Sequence, residues 1–247
     1  MATAVFHIWR GAAAGGEFKE YTADVTEGMV VLDAVHQIQG TKAHDLACRW
    51  NCKAGKCGSC SAEVNGVPRL MCMTRLETLP LDKPIVIRPM KAFPVIRDLV
   101  TDVSWNYEVN RKIPPFHPAP PGPDGVHRMA QGEADRVQEF RKCIECFLCQ
   151  NVCHVLRDHQ LKDAFCGPRF FVRAANLEMH PLDTEDRLKL LKERLGIGYC
   201  NITKCCTEVC PEQIRITDNA IIPLKERVVD RYYDPLLRVL RMLRLVK

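Results

Sequence analysis

Several things are missing from this sequence, and each absence narrows its class. No apolar run approaches the roughly 18–20 residues that a membrane-spanning helix needs, so the chain is expected to be soluble or peripheral to a membrane. The opening MATAVFHIWR lacks the apolar segment and cleavage site of a secretory signal. That predicts a reducing compartment, where cysteines stay as thiols. Charge of one sign is not in large excess: the net value is +5, with 26% charged residues, which does not point to a nucleic-acid binder. A chain of 247 residues is also too long to need disulfide staples.

What the sequence does have is fourteen cysteines, most of them at short fixed spacings. Thiols grouped in this way read as metal ligands. In the N-terminal half, Cys52, Cys57 and Cys60 follow C-x4-C-x2-C, and Cys72 comes after a hairpin. This is the plant-type spacing for a [2Fe-2S] cluster. A zinc site would favour two C-x2-C pairs or Cys/His mixtures. Gly55 and Gly58 permit the backbone angles of a loop that wraps tightly around a cluster. Such wrapping brings N–H groups close to the sulfurs. Arg49, Lys53 and Lys56 add positive charge, which favours the reduced cluster.

The surrounding segments predict a small sheet holding one helix. Val5–Arg10 and Phe18–Val25 alternate as half-buried strands do, with Gly11–Gly16 as the turn. Met29–Ile38 places Val31, Leu32, Val35 and Ile38 on one helical face. Asn65-Gly66 predicts a tight turn between Ser61–Val64 and Arg69–Cys72. Ile85–Arg88 is a further strand. Val95–Tyr107 is expected to be a helix, from the spacing of Ile96, Leu99, Val100 and Val103. Residues 113–129, six of them proline, form a stiff extended linker.

The C-terminal half carries the sharper pattern. Cys143, Cys146, Cys149 and Cys153 form C-x2-C-x2-C-x3-C, the bacterial ferredoxin run whose fourth cysteine ligates the other cluster. In YCNITKCCTEVCP, Cys200, Cys206 and Cys210 take the first, third and fourth places of a second run, and Thr203 takes the second. Cross-ligation groups Cys143, Cys146, Cys149 and Cys210 around a [4Fe-4S] cluster. It groups Cys153, Cys200 and Cys206 around the other. Three thiolates leave one corner of a cube unheld, which gives [3Fe-4S]. With less negative charge around it, that centre should have the higher potential.

Three cysteines fall outside the pattern. Cys48 and Cys166 read as buried thiols. Cys205 could supply a fourth ligand, although on a helical turn it points about 100° away from Cys206. His154 stands where proline often follows the run. It reads either as a tolerated helix-start residue or as an imidazole lining a site beside the three-iron centre.

The order of these runs resembles the iron–sulfur subunit of succinate dehydrogenase and fumarate reductase, across roughly residues 5–231. All eleven expected cysteine positions are filled, and VIRDLVTD and Gly167-Pro168 are similar as well. The resemblance implies an α+β fold: an N-terminal β-grasp, plant-type ferredoxin domain (1–105), then a mainly α-helical, bacterial dicluster-ferredoxin-like domain (106–247). It implies partners too, namely a flavoprotein subunit with FAD, one or more membrane-anchor subunits, and quinone. Electrons would pass through [2Fe-2S], [4Fe-4S] and [3Fe-4S] in that order, with no acid, base or nucleophile from this chain. Relatives often hold quinone with a tryptophan after the first run and a histidine after the first cysteine of the second. Here Asp158 lies near the former place and Asn201 occupies the latter. His154, Asn201 and Thr203 are therefore the quinone-proximal candidates, each equally readable as cluster packing.

The segment 235–247 is expected to be a basic amphipathic helix, with Arg238, Arg241 and Arg244 recurring every three residues. It would lie on a membrane or anchor surface or pack on its own domain. Together these features predict a peripheral protein on the cytoplasmic face of a bacterial inner membrane. The competing readings are a soluble multi-cluster ferredoxin, an electron-transfer subunit of heterodisulfide or glycolate type, and a zinc or redox structural module.

Overall fold

Strand β1 (Ala2–Ala12) runs through the middle of a seven-stranded sheet because its alternation buries Ala4, Phe6 and Ile8 on one face. The computed structural model describes residues 2–243. β1 pairs antiparallel with β2 (Gly15–Val25) from Ala2↔Val25 to Ala12↔Gly15. Helix α1 (Val31–Thr41) lays Val31, Leu32, Val35 and Ile38 into the core, and the Val30 N–H donates to Asp33 at its start. β3 (Ser61–Val64) and β4 (Val67–Leu70) form the predicted hairpin, with Asn65 and Gly66 at positive φ. β5 (Ile85–Arg88) lies parallel to β1, Phe6 opposite Ile85, and antiparallel to β3.

The segment expected to be helical from Val95 is not helical there. It forms a small hairpin of β6 (Val95–Arg97) and β7 (Val100–Thr101), and helix α2 (Ser104–Arg111) begins only afterwards. The cause is Asp98, buried at φ 48°. Its carboxylate accepts from the N–H groups of Gly11 (3.0 Å) and Ala47 (2.8 Å) and pairs with Arg10 Nε at 3.0 Å. These long-range bonds hold a left-handed turn that interrupts the local helical spacing.

The chain divides into two compact units. The first comprises residues 1–105, 144–152 and 209–212; the second comprises the rest. The core of the first joins Phe6, Ile8, Leu32, Ile38, Ile85 and Ile87 to Phe147 and Leu148. The latter pair lead into α4 (Leu148–Val152), which follows α3 (Gln131–Gln138) in chain order. Asn151 anchors α4 to the sheet, donating to Glu63 Oε1 and accepting from the Ala92 N–H, both at 2.9 Å.

The second unit is mainly helical: α5 (His154–Arg157), α6 (Pro168–Glu178), α7 (Leu188–Glu193), α8 (Cys205–Glu208), a wide-turned helical segment Ile216–Ile221, α9 (Ile222–Tyr232) and α10 (Pro235–Met242). Phe165, Phe170, Phe171, Leu191, Ile221 and Leu224 are buried there. The proline-rich segment is tied down by Arg187, whose guanidinium donates to the carbonyls of Pro114 and Pro115 and pairs with Asp183 at 2.9 Å, both side chains fully buried. Asp234 accepts from the Leu237 N–H at the start of α10. Of the predicted basic helix, Arg244 and the rest of 244–247 lie outside the described residues, as do the side chains of Arg238 and Arg241.

Candidate cluster-binding sites

The first cysteine loop is shaped by its backbone. Lys53, Gly55 and Gly58 all have positive φ, which coils the chain between Cys52 and Cys60. The coil turns peptide N–H groups inward: Ala54 and Lys56 donate to Cys52 Sγ at 3.4 and 3.3 Å, and Cys72 donates to Cys60 Sγ at 3.5 Å. Burial opposes ionisation of Cys57. Hydrogen bonds from the Ser59 side chain and from Cys52 and Ser59 outweigh it, and the thiol is lowered to about 6. Cys60 is pushed up to about 12 by burial, with the neighbouring Cys72 and Cys57 adding to the rise. Of the three cations expected to act on this nest, Lys53 sits over the Trp50 ring, Lys56 pairs with Glu212 at 3.2 Å, and Arg49 donates to the Thr101 carbonyl.

The same loop meets the bacterial ferredoxin run directly at Cys146. A Cβ built on Gly58 would stand 2.6 Å from Cys146 Cα. The Ser61 hydroxyl lies 2.8 Å from the Gly58 carbonyl and 2.9 Å from that of Cys146. Cys146 is flanked by two left-handed residues, Glu145 (φ 56°) and Phe147 (φ 59°), and both Cys146 and Cys149 are buried. Cys210 is half-buried in the same unit. Cys143 ends a short helical turn in the second unit.

The third set lies wholly in the second unit. Gly196 must be glycine: its φ is 66° and a Cβ would fall on the Ala164 carbonyl oxygen. It starts the turn that delivers Cys200. Ile202 and Lys204 are left-handed, and α8 then presents Cys206. Burial raises Cys153 to about 11 and Cys206 to about 12, with the neighbouring thiols Cys205 and Cys200 adding to both. Opposing these rises are the Leu156 and Val155 N–H groups at Cys153 and the Thr217 hydroxyl at Cys206. Lys225 Nζ donates to the Cys200 carbonyl at 2.6 Å.

These nests fit iron–sulfur clusters in their chemistry. Buried thiolates need a cationic partner, inward N–H groups stabilise thiolate sulfur, and soft sulfur donors suit iron.

The remaining candidates divide. Asn201 Nδ2 lies 3.1 Å from His154 Nε2, so these two come together. Thr203 does not join them; its hydroxyl lies 3.3 Å from Cys205 Sγ. Asp158 pairs with Arg157 at 3.0 Å. Cys205 and Cys206 point to different partners, Thr203 and Thr217. Cys166 is buried, with its thiol raised well above the usual range by burial, and half-buried Cys48 is raised to about 12 for the same reason. No local pattern marks Thr207, Thr217 or Lys225, because they reach the third set only through the packing of α8, the Ile216–Ile221 segment and α9. Among the described residues no helix is long and apolar enough to cross a membrane.

Comparison with known proteins finds the two corresponding domain types. The 2Fe-2S iron-sulfur cluster binding domain family matches residues 5–108, and the 4Fe-4S dicluster domain family matches residues 139–214. The chain is 33% identical over 202 residues to the fumarate reductase iron-sulfur subunit of Mycobacterium tuberculosis, covering 80% of each. It is 30% identical over 189 residues to the succinate dehydrogenase iron-sulfur subunit of Bacillus subtilis, covering 73% of this chain and 71% of that one. It also superposes on a chain of the Mycobacterium smegmatis Sdh1 complex in the apo form, with a TM-score of 0.91, 61% identity, and coverage of 94% of this chain and 98% of that one. The chain belongs to the family of succinate dehydrogenase and fumarate reductase iron–sulfur subunits, built as a sheet-bearing [2Fe-2S] domain followed by a helical dicluster domain.

Proposed function

We propose that this subunit relays electrons between an FAD-containing flavoprotein that interconverts succinate and fumarate and a quinone held at a membrane anchor. Cys52, Cys57, Cys60 and Cys72 hold [2Fe-2S]. Cys143, Cys146, Cys149 and Cys210 hold [4Fe-4S]. Cys153, Cys200 and Cys206 hold [3Fe-4S]. When bound, the clusters supply three one-electron carriers of different potential. The chain's own part is to supply thiolates, to aim N–H and O–H groups at them and to exclude water. With three thiolates rather than four, the last nest carries the least negative charge and favours the reduced state most.

The observation that carries this reading is the close approach of the [2Fe-2S] loop to the bacterial ferredoxin run at Gly58 and Cys146. It supports short spacing between successive carriers. His154 and Asn201 are the quinone-proximal pair in this proposal, with Thr203 close to Asn201 in sequence only. The domain division falls near residue 105. Exposed Leu236, Val239 and Met242 on α10 support contact with an anchor or lipid at the cytoplasmic face of the inner membrane.

The test is purification from membranes in mild detergent. The expected result is co-elution with a flavoprotein and an anchor, succinate-to-quinone activity, and three distinct paramagnetic signals, one of them present only in the oxidised protein. Recovery of the chain alone with two signals or fewer would refute the proposal.

A further inference from the structure

We infer that Thr217, backed by Thr207, tunes the reduction potential of the centre held through Cys206. This rests on the reading of Cys153, Cys200 and Cys206 as ligands of one cluster. Thr217 is 1% exposed, and its Oγ1 lies 3.5 Å from Cys206 Sγ. A cysteine bound to iron is a thiolate with lone pairs only, so the hydrogen between these atoms comes from Thr217.

The surrounding bonds leave that proton nowhere else to go. The Thr207 hydroxyl donates to Thr217 Oγ1 at 3.2 Å, so the Thr217 oxygen already accepts one bond. Thr207 Oγ1 in turn accepts from the Thr217 N–H at 3.0 Å. That N–H opens the segment Ile216–Ile221, where a backbone donor has no partner within its own helix. Two elements therefore form a closed pair of threonines with one outgoing hydrogen, aimed at one sulfur.

Such a donor acts differently on the two oxidation states. Reduction adds one electron, and the extra negative charge is shared with the ligand sulfurs. A hydrogen bond to sulfur stabilises the more negative state more. The Thr207 hydroxyl polarises the Thr217 hydroxyl in the same sense. No covalent bond changes and the Thr217 proton stays on its oxygen. The pair is thus a positioning and tuning device that leaves the thiolate ligands as they are.

The experiment is a redox titration of the assembled, membrane-extracted complex, following the signal of the third centre with the [2Fe-2S] signal as an internal reference. Thr217→Val is expected to lower the reduced-to-oxidised ratio of the third centre about tenfold at a fixed potential, which is 59 mV for a one-electron couple. The [2Fe-2S] potential should not move, and Thr217→Ser, which keeps the hydroxyl, should titrate as the parent does. A Thr217→Val complex that titrates with the parent overturns the inference. So does an equal fall in the serine variant. If Thr217→Val fails to retain the third centre, Thr207→Val decides: a smaller fall in the same direction is expected, and no change overturns the inference. A parent complex without any third signal would instead sink the reading of the ligand set.

Discussion

Two cysteine sulfurs, Cys52 in the first nest and Cys206 in the third, meet the same need in opposite ways. Around Cys52 the donors to sulfur are peptide N–H groups of the loop itself, made available by left-handed residues. Around Cys206 the donor in our proposal is a buried side-chain hydroxyl on another element, backed by a second hydroxyl. A sulfur served by backbone donors tolerates changes of side chain but not of chain path. A sulfur served by a side-chain donor can be retuned by single substitutions yet depends on the packing of distant helices. The difference assigns each region its own weak point.

For the second unit, that weak point is the side-chain network holding its helices and the proline-rich segment. Arg187→Met would strand the Asp183 carboxylate in a buried site and free the Pro114 and Pro115 carbonyls. Breaking a buried pair by removing one partner costs about 3–5 kcal/mol. Denaturant titration should register a loss of that size, with the third centre's signal disappearing before the first's. Loss of the [2Fe-2S] signal first would break the comparison.

For the first nest, the expected weak point is chain path. Gly58→Ala adds a Cβ at φ 69°, 2.6 Å from Cys146 Cα, and backbone cannot yield as a flexible side chain can. The expected cost is about 2–3 kcal/mol, with reduced [2Fe-2S] content. Gly66→Ala is the control. It is also left-handed (φ 78°) but meets nothing within 4 Å, so it should cost only about 1–2 kcal/mol. Equal losses in the two variants, measured by chemical denaturation, would show that strain alone matters and contact with Cys146 does not.

The same contrast explains what could be read from the sequence. Cysteine spacing, glycines and the Asn65-Gly66 turn are local signals, so the cluster families and most strands are legible in the sequence. The hairpin at 95–101 is not legible, because Asp98 takes its partners from Gly11 and Ala47, far away in sequence. Thr217 is hidden for the same reason: eleven residues beyond Cys206, it has no spacing rule. The pairing of His154 with Asn201 depends on a fold that brings positions 47 residues apart within 3.1 Å. Local chemistry announces itself, whereas long-range side-chain chemistry needs the packing.

The smallest effect concerns a side chain that matters at the first nest. His36 on α1 meets Trp50 edge-on, with ring centres 4.8 Å apart, and Lys53 lies over the same indole. Burial, then the Lys53 charge, lowers the His36 pKa below its usual 6.5, with Asp33 acting in the other direction. Above pH 6.5 the imidazole is neutral in both folded and unfolded chains, and its packing contributes fully. As pH falls below that value the unfolded chain takes up the proton more readily, so stability declines. Thermal melts between pH 7.5 and 5.5 should therefore drop more steeply for the parent than for His36→Leu, which cannot titrate. Parallel curves would mean that protonation of His36 is no more costly in the folded protein than in water, and that side chains beside the first loop are as dispensable as the backbone donors to Cys52 suggest.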